Sequence, residues 1–322
     1  MNTRLKKLVD RYIERQGVLQ IGSEYQPAIR AVRGEAPSMS RCCRIWFALH
    51  DRELHTLSLS ETCAATIAIF HPGLVDLLEQ RCLPTDPECH PVSLYPEMSG
   101  TLLPGLSGTV AIAEKLGLSK FHPRFVCEDE IGRYRVPVPF VGDLLLILKD
   151  QDGLYAVNWT VKASEAGFKE SLNRRPAKRQ SLQSQERAEA RLRIEVECYA
   201  EAGIRTHKII RTTFSSTLVA NLKQCLIWST RQTTLAPTAQ QEMVADYEAI
   251  VGTELAPLDL LESHEQKYQC TRQDCLIIFH RAVWTRQVRI NLFIPVLFDT
   301  PMQEETEDPL TKYAPLFDRG GI

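Results

Sequence analysis

A hairpin in the middle of the chain constrains everything around it. Residues 136–162 read VPVPFVGDLLLILKDQDGLYAVNWTVK. Val141 to Leu148 is apolar and β-compatible, Asp150-Gln151-Asp152-Gly153 is a turn cluster, and Leu154 to Val161 is again rich in β-branched and aromatic side chains. That pattern predicts two strands joined by a tight turn. Strand side chains alternate faces, so Asn158, Thr160 and Lys162 share one side while Val157, Trp159 and Val161 occupy the other. Asp143 stands just ahead of an unbroken Leu-Leu-Leu-Ile-Leu run, where a purely structural strand has little use for charge. An acid and a lysine on adjacent strands are thereby placed to meet at one edge.

An acid opening one strand and a polar-x-Lys ending the next resembles the skeleton of the restriction-endonuclease-like nucleases, written PD-(D/E)xK. The chemistry accounts for the pattern. Phosphodiester hydrolysis needs carboxylates to hold Mg²⁺ beside the phosphate and an ammonium to help activate water or balance negative charge. Asp143 suits the first role and Lys162 the second. The same spacing also fits an ordinary hairpin with a surface salt bridge.

At 322 residues, with 44% hydrophobic and 24% charged residues, the chain has the composition of a soluble globular protein of one or two domains. Its longest apolar runs are too short to cross a bilayer, and MNTRLKKLVDRYIERQG reads as a charged amphipathic helix rather than a signal segment, so the expected location is cytoplasmic with no membrane partner. Ten cysteines are scattered without paired CxxC spacing, which argues for free thiols over a zinc site. Lys and Arg number 38 against 40 Asp and Glu, so any nucleic-acid surface has to come from local charge.

Ahead of the hairpin, Ser58-x-x-Glu61 opens a helix predicted to run through Phe70 and to stop at His71-Pro72-Gly73. Two readings of Glu61 stand here: partner in a capping box, or a carboxylate projecting toward the sheet as a further metal ligand. The strings LHTLSLSETCAATIAIFHPGLVDLLEQ, VGDLLLIL, WTVKAS and RIEVECYAEAGIRTHKIIRTTFSSTLVANLKQ, in that order, resemble the TnsA endonuclease subunit of heteromeric bacterial transposases over residues 40–230. The resemblance implies an α/β restriction-endonuclease-like core, a mixed central sheet flanked by helices, with Glu61, Asp143 and Lys162 in the active site and Mg²⁺ (or Mn²⁺) on Glu61 and Asp143. It further implies cleavage of the 5′ strands of double-stranded DNA at transposon ends, beside a TnsB-like recombinase and a TnsC-like ATPase regulator. Thr160 departs from the family's glutamine or glutamate. Its short neutral hydroxyl is a weak metal donor, and Asn158 on the same face is a candidate substitute. A degenerate site in an architectural DNA-binding subunit is the competing expectation.

Residues 82–135 read as an insertion of irregular surface structure with one short helix over Val110 to Leu118. After the hairpin, Lys169, Arg174, Arg175, Lys178 and Arg179 form a basic stretch suited either to phosphate contact or to plain solvation. A long helix follows over Ser184 to Ala202, with Leu192, Val196, Tyr199 and Ala200 as its buried side, then a strand over His207 to Thr212 and a helix closing a nuclease domain of residues 1–230. Residues 231–241 read as a linker and 242–300 as a winged helix of three helices and a strand over Val288 to Ile294. Arg272, Arg281 and Arg286 make that domain locally basic, for DNA or for protein docking. Residues 301–322 read as a flexible acidic and apolar tail that binds a partner.

Overall fold

The computed structural model describes residues 3–38, 40–129, 132–169 and 182–319. The chain divides into two units, Met1–Thr213 with Leu316–Ile322, and Phe214–Pro315. In unit 1 the elements are α1 (Thr3–Gln16), β1 (Cys43–Phe47), β2 (Arg52–Thr56), α2 (Leu59–Phe70), β3 (Leu74–Glu79), α3 (Thr109–Lys115), β4 (Arg124–Asp129), β5 (Gly132–Pro137), β6 (Leu144–Asp150), β7 (Gly153–Lys162), α4 (Leu182–Ala200) and β8 (Arg205–Ile210).

Leu144 to Leu148 are fully buried, as a strand inside a sheet must be. A four-stranded sheet in the order β3-β6-β7-β8 places β6 between β3 and β7. Both of those pairings are antiparallel, whereas β7 and β8 run parallel, joined by the crossover that contains α4. The result is an α/β unit with a mixed sheet flanked by helices. The predicted hairpin closes at Asp150 and Gly153, where Gly153 takes φ 103°, a backbone state that favours glycine. On one face Leu145, Ile147 and Ala156 pack in a cluster with Ile194, Cys198 and Tyr199 of α4. By alternation Leu144, Leu146 and Leu148 turn toward the side on which α2 packs.

Two expectations about unit 1 need correction. Residues 82–135 are not surface irregularity: Leu83, Val92, Leu106, Ile112 and Ala113 belong to the same buried cluster as the sheet, and β4 and β5 form a hairpin whose Phe125 packs on Val9 and Val138. The proline-rich composition hid apolar side chains spaced singly through the segment. On α4 the buried side is Ala190, Ile194, Glu195, Cys198 and Tyr199, so the expected face is rotated, with Ala200 exposed.

Unit 2 contains α5 (Ser216–Ser229), α6 (Pro237–Ala249), α7 (Leu261–Tyr268), α8 (Arg272–Trp284) and α9 (Pro309–Tyr313). Its helix α5 was expected in the nuclease domain, and residues 231–241, expected as a linker, run into α6. The reason is packing, since α5, α6 and α7 all contact α8, whose Ile277, Phe279, Ala282 and Val283 are buried. The strand expected over Val288 to Ile294 is reduced to a single bridge, Ile290 to Glu304. Asn221 takes its place as a partner: Nδ2 donates to Leu292 O at 2.9 Å and Ile294 O at 2.7 Å, and Oδ1 accepts from Val296 N at 3.1 Å.

Residues 301–319, expected as most of a flexible tail, are folded. Asp308 caps α9 by accepting from Leu310 N at 2.8 Å, and Tyr313 is buried within unit 2. Phe317, 3% exposed, belongs to unit 1, where it stacks on His71 at 4.3 Å and lies 5.1 Å from Trp159. Arg319 Nη2 donates to Gly153 O at 2.7 Å and its Nε to Asp150 Oδ2 at 2.6 Å.

Candidate active site

Glu61 enters the site from the first turn of α2, which Ser58 caps by accepting from Glu61 N at 3.1 Å. Its carboxylate does more than a capping box requires. Oε1 accepts from Ser58 Oγ at 2.9 Å, while Oε2 accepts from Leu57 N at 2.7 Å and from Gln80 Nε2 at 3.0 Å. The capping reading of Glu61 holds, and its carboxylate is in addition tied to Gln80 after β3. Burial, and then the nearby Asp143 carboxylate, raise its pKa from 4.5 to about 7, against the lowering effect of the Leu57 and Ser58 hydrogen bonds and of Lys162.

Asp143 immediately precedes β6, opposite Thr160 when the Leu144 to Trp159 pairing is extended by one residue. Its Oδ2 accepts from Val161 N at 2.6 Å, Lys162 Nζ at 2.8 Å and Thr160 Oγ1 at 3.4 Å. Burial opposes ionisation of this carboxyl, but the charge and hydrogen bond of Lys162 outweigh it and hold the group below the usual range. Lys162 ends β7 and also donates to Val161 O at 2.9 Å. The fold thus brings together Glu61, Asp143, Thr160 and Lys162.

Asn158 lies one strand repeat before Thr160 and is 1% exposed. Its Nδ2 donates to Glu195 Oε1 at 3.1 Å and to Thr206 Oγ1 at 3.2 Å. Glu195, on the buried face of α4, is a site neighbour that sequence reasoning missed. Its pKa is raised by burial, with Arg191, Asp143, Asn158 and Lys162 among the groups acting on it. Arg191, one helical turn earlier, donates from Nη2 to Val141 O at 2.6 Å and helps keep Asp143 ionised. The signal in the sequence was the i, i+4 pair Arg191 and Glu195 beside Ile194 and Cys198.

The donor set suits a hard cation. Glu61 and Asp143 present carboxylate oxygens, and their mutual repulsion would be relieved by positive charge between them. Among the described residues no three His, Cys, Asp or Glu side chains gather around one point. A bound Mg²⁺ or Mn²⁺ would therefore rest on these two carboxylates with water or phosphate oxygens, a mode common for Mg²⁺.

The expected DNA contacts fare unevenly. Lys169 is exposed in the turn after β7, and Arg272 is exposed at the start of α8. Arg174, Arg175, Lys178 and Arg179 lie outside the described residues. Arg281 is turned inward, donating to Ser229 O at 3.2 Å, to Gln240 Oε1 at 3.4 Å and to Arg231 O. Arg286 forms a two-pronged pair with Asp308, both bonds 2.9 Å. Both guanidiniums are engaged within unit 2.

A comparison with protein-family models and one with curated proteins both return no match. No helix among the described residues is long and apolar enough to cross a membrane.

Proposed function

We propose that unit 1 is a Mg²⁺-dependent DNA endonuclease that also accepts Mn²⁺, with Glu61 and Asp143 as metal ligands and Lys162 as the catalytic ammonium. The observation that carries this reading is that Lys162, from the end of β7, bonds to Asp143 while Gln80 bonds to both Asp143 and Glu61, which comes from the first turn of α2. The order α2, β3, β6, β7, α4, β8 supports it, because the hairpin that bears the acid and the lysine is central and the last strand is parallel. When bound, the metal supplies charge neutralisation at the phosphate and a water more easily deprotonated. Asp143, kept ionised by Lys162, is ready to bind a cation without first losing a proton. Lys162 Nζ, 2.8 Å from Asp143 Oδ2, is the ammonium that would orient the attacking water or balance charge on the phosphate.

Following the resemblance of residues 40–230, the substrate is double-stranded DNA at transposon ends, cut on the 5′ strands in the cytoplasm beside a TnsB-like recombinase under a TnsC-like regulator. The test is a nicking assay of the full chain on end-containing DNA with Mg²⁺ or Mn²⁺ and the recombinase. Nicking that Lys162→Ala abolishes is the expected result.

One observation favours a second reading. Thr160 donates its hydroxyl to Asp143, so the position that bears a ligand in the family adds no carboxylate here. On that reading the chain is an architectural subunit that grips DNA and recruits its partners. DNA binding without nicking under every metal and partner condition would select it.

A further inference from the structure

We propose that Glu195, acting with Asn158, is a positioning residue of the metal site: an outer-sphere carboxylate that accepts hydrogen bonds from water around a divalent cation on Asp143 and Glu61, supplying the negative charge that Thr160 lacks. The proposal rests on the endonuclease reading for the identity of the cation site and extends it to a residue on another element.

Three features of the structure lead there. Asn158 and Thr160 lie on the same face of β7, about 7 Å apart along the strand, a distance one layer of water spans. Asn158 is 1% exposed, and its Oδ1 has no hydrogen-bond partner among the described residues while its Nδ2 is fully used on Glu195 and Thr206. A buried amide oxygen without a donor is costly, and a water bound to a cation is a strong donor. Glu195 is a carboxylate with 3% exposure on a helix face otherwise lined by Ile194, Cys198 and Tyr199, where a purely structural residue would be apolar.

The electrostatics run in the same direction. Asp143 and Lys162 both act on Glu195, and Arg191 acts on both Asp143 and Glu195. Glu195 therefore belongs to the same charge system as the proposed ligands. Because no three carboxylates surround one point, its influence passes through Asn158 and water rather than by direct ligation.

The experiment measures Mn²⁺ binding to the full-length protein by calorimetry and by loss of the free Mn²⁺ resonance signal. Wild type, Glu195→Gln and Glu195→Gln/Thr160→Glu are compared, with melting in EDTA alongside. Glutamine keeps an acceptor for Asn158 Nδ2, so the substitution removes charge with little loss of packing. The expected result is that Glu195→Gln weakens Mn²⁺ binding about tenfold, as outer-shell changes do, and that Thr160→Glu in that background restores it. Unchanged affinity in Glu195→Gln overturns the proposal, as does a wild type that binds no Mn²⁺. If Glu195→Gln also melts early in EDTA, the double variant decides: regained Mn²⁺ binding upholds the charge role, and no recovery overturns it. A protein that shows the expected Mn²⁺ pattern but nicks no DNA sinks the nuclease reading alone. One that nicks normally, with Glu195→Gln indistinguishable at limiting Mg²⁺, sinks this inference alone.

Discussion

Gln80 donates its side-chain amide to Glu61 Oε2 at 3.0 Å from a backbone held at φ 51°. Its own amide donates to Asp143 O at 3.0 Å, so one residue at the end of β3 touches both proposed metal ligands. A non-glycine residue in this conformation is disfavoured by about 1 kcal/mol. Gln80→Gly and Gln80→Ala should therefore separate backbone strain from site contact. Glycine should be the more stable variant by about 1 kcal/mol, in urea melts, while nicking should fall equally in both because each loses the bond to Glu61. Equal stability would show that the backbone there is unstrained.

Asp143→Ala should abolish nicking and also cost about 1–3 kcal/mol, because Val161 N is left without its partner and Lys162 without its counter-charge. Asp143→Asn keeps an acceptor for Val161 and should retain most of that stability while still failing to nick. Circular dichroism melts and nicking on the same samples check both. An alanine variant as stable as wild type would mean these hydrogen bonds add nothing net.

Burial and Asp143 raise the Glu61 carboxyl from 4.5 to about 7, which fixes the sign of a pH effect. Between these values the folded state holds a proton that the unfolded state has lost, so stability falls as pH rises through this window. Glu61→Gln, which has no such proton to lose, should melt higher than wild type at pH 8 without divalent metal. A gain of about 3 °C corresponds to 1 kcal/mol at this size. The advantage should vanish near pH 4. Mg²⁺ at pH 8 should raise the wild-type melting temperature and leave the glutamine variant unchanged. A constant difference across pH would place the effect in the cap of α2 instead of in the charge.

Phe317 is buried among His71 and Trp159, and Trp159 Nε1 donates to Leu316 O at 2.8 Å. Phe317→Ala should destabilise unit 1 by about 3 kcal/mol, the usual cost of emptying a buried phenylalanine site. Chemical denaturation followed by tryptophan fluorescence is the check. A loss below 0.5 kcal/mol, the size of an ordinary surface change, would return the segment to the status of a loose tail.

Much of the site was legible because its parts are local. The turn at 150–153, the alternation through Lys162 and the cap at Ser58 each follow from a few neighbouring residues, and the structure keeps all three. Glu195 was not legible, since hydrophobic periodicity assigns a helical carboxylate to solvent and only the fold shows Asn158 opposite it. The boundary at residue 213 and the loss of the strand over 288–294 were hidden for a similar reason. Both depend on distant partners, α8 for α5 and the Asn221 side chain for the backbone of 292–296. Arg281 and Arg286 look like a basic surface in sequence because charge counts do not register which carbonyls and carboxylates fold against them.

The return of residues 316–319 to the first unit makes that unit discontinuous along the chain. During synthesis the strand carrying Thr160 and Lys162 emerges about 155 residues before the side chain that covers Trp159, at 5–20 residues per second. For a period of order ten seconds Trp159 lacks its Phe317 cover, while the whole of the second unit is made. The last contact of this α/β core, Phe317 on Trp159, is thus timed by the translation of the second unit.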